Sequence, residues 1–312
     1  MPDAAIDIIY TWVDDSWPGY HEQLGRYAGN KHDRNPNRTR DNLDLLKYSL
    51  RSLVAHCPWV GRIHLVTAEP QIPAWLNTAA DSLVLIHHQA ILEQLPTFNS
   101  FAILSALYRT QGLSERFLYI EDDMLFGAPV MVEDFLLPDG RLRLYPRSGF
   151  TSDPADEVRI TLSPWNRALA HSNALLDAKF GGRRRRKVNH IPLMINKGWW
   201  NEMCQQWPDD FARTRASRFR AYNNVVSEHL YPYFLLNTRR AAMEPLLATW
   251  RVSAYVPLEN TPLVSAACLA RANGRKFVTL NDGFGAAPRE AVVKMAKKFL
   301  ERAFPIKSRF EL

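Results

Sequence analysis

Along the first half of the chain, short apolar runs alternate with longer stretches in which apolar positions recur every three or four residues. Residues 6–13, 62–67, 83–87 and 117–120 have the length and the Ile, Leu, Val and aromatic content of strands. Between them, 43–57 and 100–110 read as helices, and Leu45, Tyr48, Ser49, Ser52 and Leu53 keep one face of the first mostly apolar. This alternation predicts an α/β fold with a mainly parallel sheet flanked by helices. Ligands of such sheets bind at the carboxyl ends of the strands, so the chemistry is expected there.

The second half has a different pattern. Helical periodicity covers 165–180, 193–207 and 224–236, followed by strand-like runs at 247–255 and 276–280 and a last helix at 289–303. That helix carries Lys294, Lys297, Lys298 and Arg302 on its polar side. No Gly/Ser-rich or Pro-rich linker and no internal repeat divides the chain. The expected organisation is one domain: an α/β half over 1–150, a helical insertion or lid over 151–245, and return strands with the last helix over 246–312. Residues 19–40, polar and without periodicity, read as a long surface loop.

Composition narrows the class. With 46% hydrophobic and 23% charged residues, the 312-residue chain has the material for a large core, which excludes disordered, collagen-like and disulfide-scaffold readings. Cys57, Cys204 and Cys268 are widely spaced and form no metal-binding pattern, which suits a reduced, cytosolic setting. No run of about 18 apolar residues is present, so a membrane-spanning helix is not expected, while peripheral attachment stays open. P-loop, G-x-G-x-x-G, G-x-S-x-G, H-E-x-x-H and EF-hand patterns are missing. The net charge of +7 admits anionic partners.

The sharpest local feature is Phe117-Leu-Tyr-Ile-Glu-Asp-Asp-Met-Leu-Phe-Gly127, where an apolar strand runs into Glu121, Asp122 and Asp123. A hard divalent cation takes one or two carboxylates plus phosphate oxygens, and a strand end can present both together. Strand side chains alternate, so Glu121 and Asp123 share a face unless the strand breaks there; a solvated turn is the plainer alternative. Asp7, inside Ile6-Asp-Ile-Ile-Tyr10, puts a carboxylate in an apolar strand and, if buried, requires a partner: a metal, a cationic side chain or backbone donors; a strand-start position at the surface is the plainer alternative. Asp14 could reach a nucleotide or cap a turn. His190 follows the basic run Arg183–Lys187, a setting for a general base or cationic stabiliser. Arg218 and Arg220 offer guanidinium forks suited to a diphosphate.

Together these segments resemble the Stealth family of sugar-phosphate transferases, which includes bacterial capsule and exopolysaccharide phosphotransferases and the catalytic subunits of the lysosomal-enzyme N-acetylglucosamine phosphotransferase. The likeness runs in order through four blocks. The first is Ile6-Asp-Ile-Ile-Tyr-Thr-Trp-Val-Asp14. The second runs from Arg40-Asp-Asn42 through Leu95-Pro-Thr-Phe-Asn-Ser100 to Gly127. The third joins Lys187-Val-Asn-His-Ile-Pro192 to Arg218-Phe-Arg220, and the fourth is Arg275-Lys-Phe-Val-Thr-Leu-Asn-Asp282. The ending, with Phe310-Glu311, also resembles bacterial members.

The resemblance implies a Rossmann-like or GT-A-like fold, Mg²⁺ or Mn²⁺, and transfer of sugar 1-phosphate from a nucleoside diphosphate sugar to a polysaccharide or glycan hydroxyl. It implies catalytic roles for Asp7, Asp123, His190 and Arg220, metal binding by Asp122, Asp123 and Asp282, and donor binding by Asp14, Asp41, Asn42, Arg218 and Asn281. It also implies a cytoplasmic place at the inner face of the membrane. There are departures. Members carry an acid and a His where this chain has Leu104 and Ala106, Asn-Asp-Asp where it has Glu121-Asp-Asp123, and an acid near Asn223-Asn224. A metal-dependent glycosyltransferase and a catalytically impaired member are the alternatives. Nucleic acid is not an expected partner, because Trp12, Trp59 and Trp75 stand in apolar contexts that suit core packing better than base stacking.

Overall fold

The computed structural model describes residues 6–29, 40–259, 261–284 and 288–312. Its first part runs β1 (Ile6–Trp12), α1 (Tyr20–Ala28), α2 (Leu45–His56), β2 (Val60–Thr67), β3 (Leu83–His87), α3 (Ser100–Ala106), β4 (Arg116–Glu121) and β5 (Met124–Phe126). Next come β6 (Leu142–Leu144), β7 (Pro146–Phe150), α4 (Pro164–Phe180), β8 (Arg186–Val188), β9 (Leu193–Asn196), α5 (Lys197–Gln206), α6 (Pro208–Ala216) and α7 (Ser227–Asn237). The last part holds β10 (Ala241–Met243), α8 (Leu246–Val252), β11 (Ser253–Pro257), α9 (Pro262–Ala272), β12 (Phe277–Asn281) and α10 (Glu290–Ala303).

The main sheet has the order β3-β2-β1-β4-β9. Its first four strands are parallel and β9 runs antiparallel to β4, so the architecture is α/β with mixed sheets. The central strands are buried on both faces, which explains why they read as continuous apolar runs. A second sheet, β11-β12-β5, packs with α9 and α10 into a smaller core around Val256, Leu280, Val292, Ala296 and Leu300. Helix α2 serves both cores: Leu46, Leu50 and Leu53 enter the large one, Leu45 and Tyr48 the small one. Where the apolar faces leave α2, Ser49 donates to the Met124 carbonyl and Phe126 N–H donates to Ser52, so the helix also pins β5.

Three expectations are corrected. The run 193–207 is not one helix. Leu193–Asn196 is strand β9 on the main sheet, and Asn196 then caps α5 by accepting from Trp199 N–H at 2.9 Å. Nor is 247–255 a strand throughout, because α8 occupies Leu246–Val252 and β11 begins only at Ser253. Within 19–40, Tyr20–Ala28 is a helix that buries Leu24 and Ala28, while 30–39 lie outside the described residues. Residues 151–245 contain α4 to α7 together with β8, β9 and β10, and β9 lies on the main sheet.

Candidate active site

The acidic cluster forms where the two sheets meet. Strand β4 ends at Glu121, the chain turns through Asp122 and Asp123, and β5 starts at Met124 on the second sheet, where Leu280 N–H donates to the Asp123 carbonyl at 2.9 Å. The strand therefore breaks, as convergence of the acids requires. Glu121 and Asp123 both face His190, whose Nε2 lies 3.5 Å from Asp123 Oδ2 and 3.9 Å from Glu121 Oε2. Ligand atoms of these three residues all lie within 4.8 Å of one another. His190 is held from behind, its carbonyl accepting from Thr279 Oγ at 2.5 Å.

Asp122 belongs to a different set. Burial, then the charges of Asp123, Asp41 and Asp282, push its carboxyl far above the ordinary range. Asp282 is pushed up to about 8 by burial and by Asp123 and Asp41, with a hydrogen bond from Asn42 pulling the other way. Asp41 is also raised, chiefly by burial, although Leu45 N–H at 2.9 Å and Trp12 Nε1 at 3.3 Å donate to it. His190 shows the reverse balance: burial disfavours its charge, but the pull of Glu121 and Asp123 outweighs that and raises its pKa. Packed carboxylates that repel one another in a low-dielectric site call for a cation. Two of their buried oxygens, Asp123 Oδ1 and Asp282 Oδ2, have no hydrogen-bond partner among the described residues. A donor set of carboxylate oxygens with one imidazole fits a divalent ion such as Mg²⁺ or Mn²⁺ better than a thiophilic one.

The cluster lines a cleft of about 660 Å³ that also holds Asn281, Arg220, Arg147, Lys187 and Glu228. Arg220 is positioned by a polar lock between distant segments. Asn99, fully buried, donates to the Ser217 carbonyl at 3.0 Å and to Asn224 Oδ1 at 2.9 Å, while Phe98 stacks on Phe219 with ring centroids 5.3 Å apart. Arg220 then donates to Ser100 Oγ at 2.6 Å. Asn224 fills its position as a buried hydrogen-bonding residue, accepting from Ala221 N–H at 3.0 Å and donating to Ser217 Oγ at 3.1 Å. A second, more apolar cavity of about 810 Å³, with Trp17, Tyr20, Phe98 and Trp165 in its wall, shares Ser100 and Arg220 with the acidic cleft.

The structure thus brings together Asp41, Asn42, Asp122, Asp123, His190, Arg220, Asn281 and Asp282. It does not bring in Asp7, Asp14 or Arg218. Thr11 is the β1 residue that pairs with Glu121, and Asp7, four residues earlier, lies roughly 13 Å back along the strand. There its buried carboxylate accepts from Arg62 N–H at 2.9 Å and Ser114 N–H at 3.0 Å and sits 3.3 Å from His64. The required partner exists, at the wrong end of the strand for the cleft. Asp14 caps a turn, accepting from Ser16 N–H at 2.9 Å. Arg218 is spent on the carbonyl of Leu95 at 2.7 Å and on Tyr27, whose ring centroid lies 4.3 Å from the guanidinium. Glu228, Tyr255 and Arg147 were not legible as site residues, because each stands in an ordinary helix-start or strand context and reaches the cleft only through tertiary packing.

Comparison with known proteins identifies the family. Three family profiles match: Stealth protein CR2, conserved region 2, over residues 38–144; CR3, conserved region 3, over 189–237; and CR4, conserved region 4, over 269–312. Block one precedes these matches. The chain is 34% identical to an exopolysaccharide phosphotransferase of Streptomyces coelicolor, over 98% of this chain and 52% of that protein. It is 33% identical to the exopolysaccharide phosphotransferase CpsY of Mycobacterium tuberculosis, over 98% of this chain and 58% of that one. The chain therefore spans a little over half the length of these relatives. Among solved structures, galactosyltransferase LgtC in complex with donor and acceptor sugar analogs aligns over 97% of both chains at 13% identity and a TM-score of 0.45. With CR2 carrying Glu121 to Asp123, CR3 His190 and Arg220, and CR4 Asp282, the chain belongs to the Stealth protein family.

Proposed function

We propose that this chain transfers sugar 1-phosphate from a nucleoside diphosphate sugar to a hydroxyl of a glycan acceptor, forming a phosphodiester in capsule or exopolysaccharide synthesis. The observation that carries the proposal is the convergence of Glu121, Asp123 and His190 within 4.8 Å in a cleft that also holds Arg220. The relatives' names support the same reading. The scaffold is read as Rossmann-like or GT-A-like, with the donor bound over 1–150.

Phosphoryl transfer demands positioning and charge neutralisation more than covalent help from the protein. Glu121, Asp123 and His190 would hold Mg²⁺ or Mn²⁺, with Asp122 and Asp282 beside them; such an ion supplies Lewis-acid neutralisation of the diphosphate. Arg220, oriented by Ser100, presents its guanidinium to the diphosphate. The aromatic cavity that shares Arg220 takes the nucleoside, since it lies at the carboxyl ends of β1 to β3, next to Val13, Ala68 and His88. With its Nε2 turned to the two carboxylates and to such an ion, His190 would be a neutral ligand rather than the expected base. The glycan acceptor approaches past Arg147 and Lys187. A cytoplasmic setting at the inner face of the membrane fits such a polymer; among the described residues no helix is long and apolar enough to cross a membrane.

Purified protein incubated with Mg²⁺ or Mn²⁺, a panel of nucleotide sugars and glycan acceptors should release nucleoside monophosphate. Release of nucleoside diphosphate would instead mean transfer of the sugar alone.

A further inference from the structure

Sugar 1-phosphate transfer to a hydroxyl requires a group to take the hydroxyl proton, and helix α3 offers none here. Its cleft-facing position 104 is a leucine, 4% exposed. Helix α7 packs against α3 and begins with Ser227-Glu228, and Glu228 lines the same cleft as Leu104, Ser100 and Arg220.

The other acids of the cleft are committed. Asp41 accepts from Leu45 and Trp12, and Asp282 accepts from Asn42. Glu121 and Asp123 lie against His190, and Asp122 is packed among Asp123, Asp41 and Asp282. Glu259 is placed beside Asn281 and Gly283, on the β11–β12 side. Glu228 makes no hydrogen bond or ion pair with any described residue and is half-buried. It stands on the Glu121 side, near enough for its charge to act on Glu121, His190 and Tyr119.

We infer that Glu228 is the general base for the acceptor, a carboxylate supplied by α7 where α3 presents hydrocarbon. The inference rests on the transfer proposed above. The acceptor O–H proton passes to a Glu228 oxygen as the acceptor oxygen bonds to the β-phosphorus. The bond from that phosphorus to the bridging oxygen breaks, and its electron pair leaves with the nucleoside monophosphate.

Glu228→Gln keeps the shape and removes the proton acceptor. It should lower kcat for transfer by about 10²- to 10⁴-fold, leave KM for the donor within about threefold, and leave the melting temperature near that of the wild type. Glu228→Ala opens space for a small anion, so added formate or azide should restore part of its turnover in a saturable way while leaving the wild type unaffected. Undiminished kcat in the Gln variant would overturn the assignment and leave nucleoside monophosphate release by the wild type standing. A slow Gln variant whose Ala counterpart gains nothing from formate or azide would also overturn it, because Glu228 would then be shaping the cleft instead of taking a proton. Failure of the wild type to release nucleoside monophosphate with any acceptor would remove both the transfer reading and the base.

Discussion

Asp123 joins the two acidic sets, facing His190 on one side and raising the carboxyls of Asp122 and Asp282 on the other. Asp123→Asn should therefore reduce nucleoside monophosphate release by at least about 10³-fold, consistent with loss of a carboxylate that would hold the ion neutralising the diphosphate. Because it also relieves repulsion among buried carboxylates, it should keep or raise the melting temperature measured without metal. Asp282 makes the pH dependence explicit. With its carboxyl pushed up to about 8, the folded state keeps a proton that the unfolded chain gives up above its ordinary value near 4. Unfolding free energy contributed by this group falls as pH rises from about 4 to about 8 and levels off above. Melting temperatures in EDTA should decline over that window, and Asp282→Asn should flatten the decline; an equal slope in the variant would contradict it. Glu121-Asp-Asp123 was legible because three acids ending an apolar strand are chemically unusual. Asp7 was legible as a buried charge, but its distance from the cleft was not, since which end of a strand faces a site depends on neighbouring strands.

Elements with a clear period were read well from the sequence, and those that change type within an apolar run were not. Leu193-Met-Ile195 and Trp199-Trp200 are short apolar runs separated only by Asn196-Lys-Gly198, and periodicity over so few residues cannot separate strand from helix. What separates them is pairing of Met194 with Leu118 on β4, followed by the Asn196 cap. The second sheet depends on a contact that no local pattern announces. A Cβ at Gly127 would lie 2.5 Å from the Arg275 carbonyl oxygen, so β5 can approach the start of β12 only with glycine there. Gly127→Ala should destabilise the protein by roughly 1–3 kcal/mol in urea unfolding, the cost of overpacking against backbone. It should also slow catalysis, because β5 follows directly from Asp123. A variant as stable as the wild type would show that this approach can relax.

Across the whole molecule, the end of the described chain closes onto the first half. Phe310 is fully buried, Asn77 N–H donates to its carbonyl at 2.9 Å, and Leu312 N–H donates to Trp75 at 2.9 Å. Arg51 grips Glu311 through two hydrogen bonds, at 2.8 and 2.6 Å, with both side chains largely buried. Despite partial burial, which acts the other way, hydrogen bonds from Arg51 and Ser308 lower the Glu311 carboxyl below its usual range. Glu311→Gln leaves Arg51 without its charge partner and should cost roughly 3 kcal/mol in chemical denaturation, the usual penalty for breaking a buried pair. The pair ties α2 to the last described residues, so the same variant should unfold cooperatively with the active-site half and not as a frayed end. The excess of Lys and Arg is divided between this scaffold, the cleft rim at Arg147 and Lys187, and the exposed face of α10.

The sequence by itself determined the strands of the parallel sheet, the acidic strand end, the family and most of the cleft residues, because these are set by local periodicity and by unusual charges in apolar runs. Tertiary structure decided which acids share a face, which arginine serves the cleft and which is spent on backbone carbonyls, and that Glu228 enters the site. Those choices depend on strand register, on the turn at Asp122 and Asp123, and on the packing of α7 against α3, and each joins residues far apart in the chain.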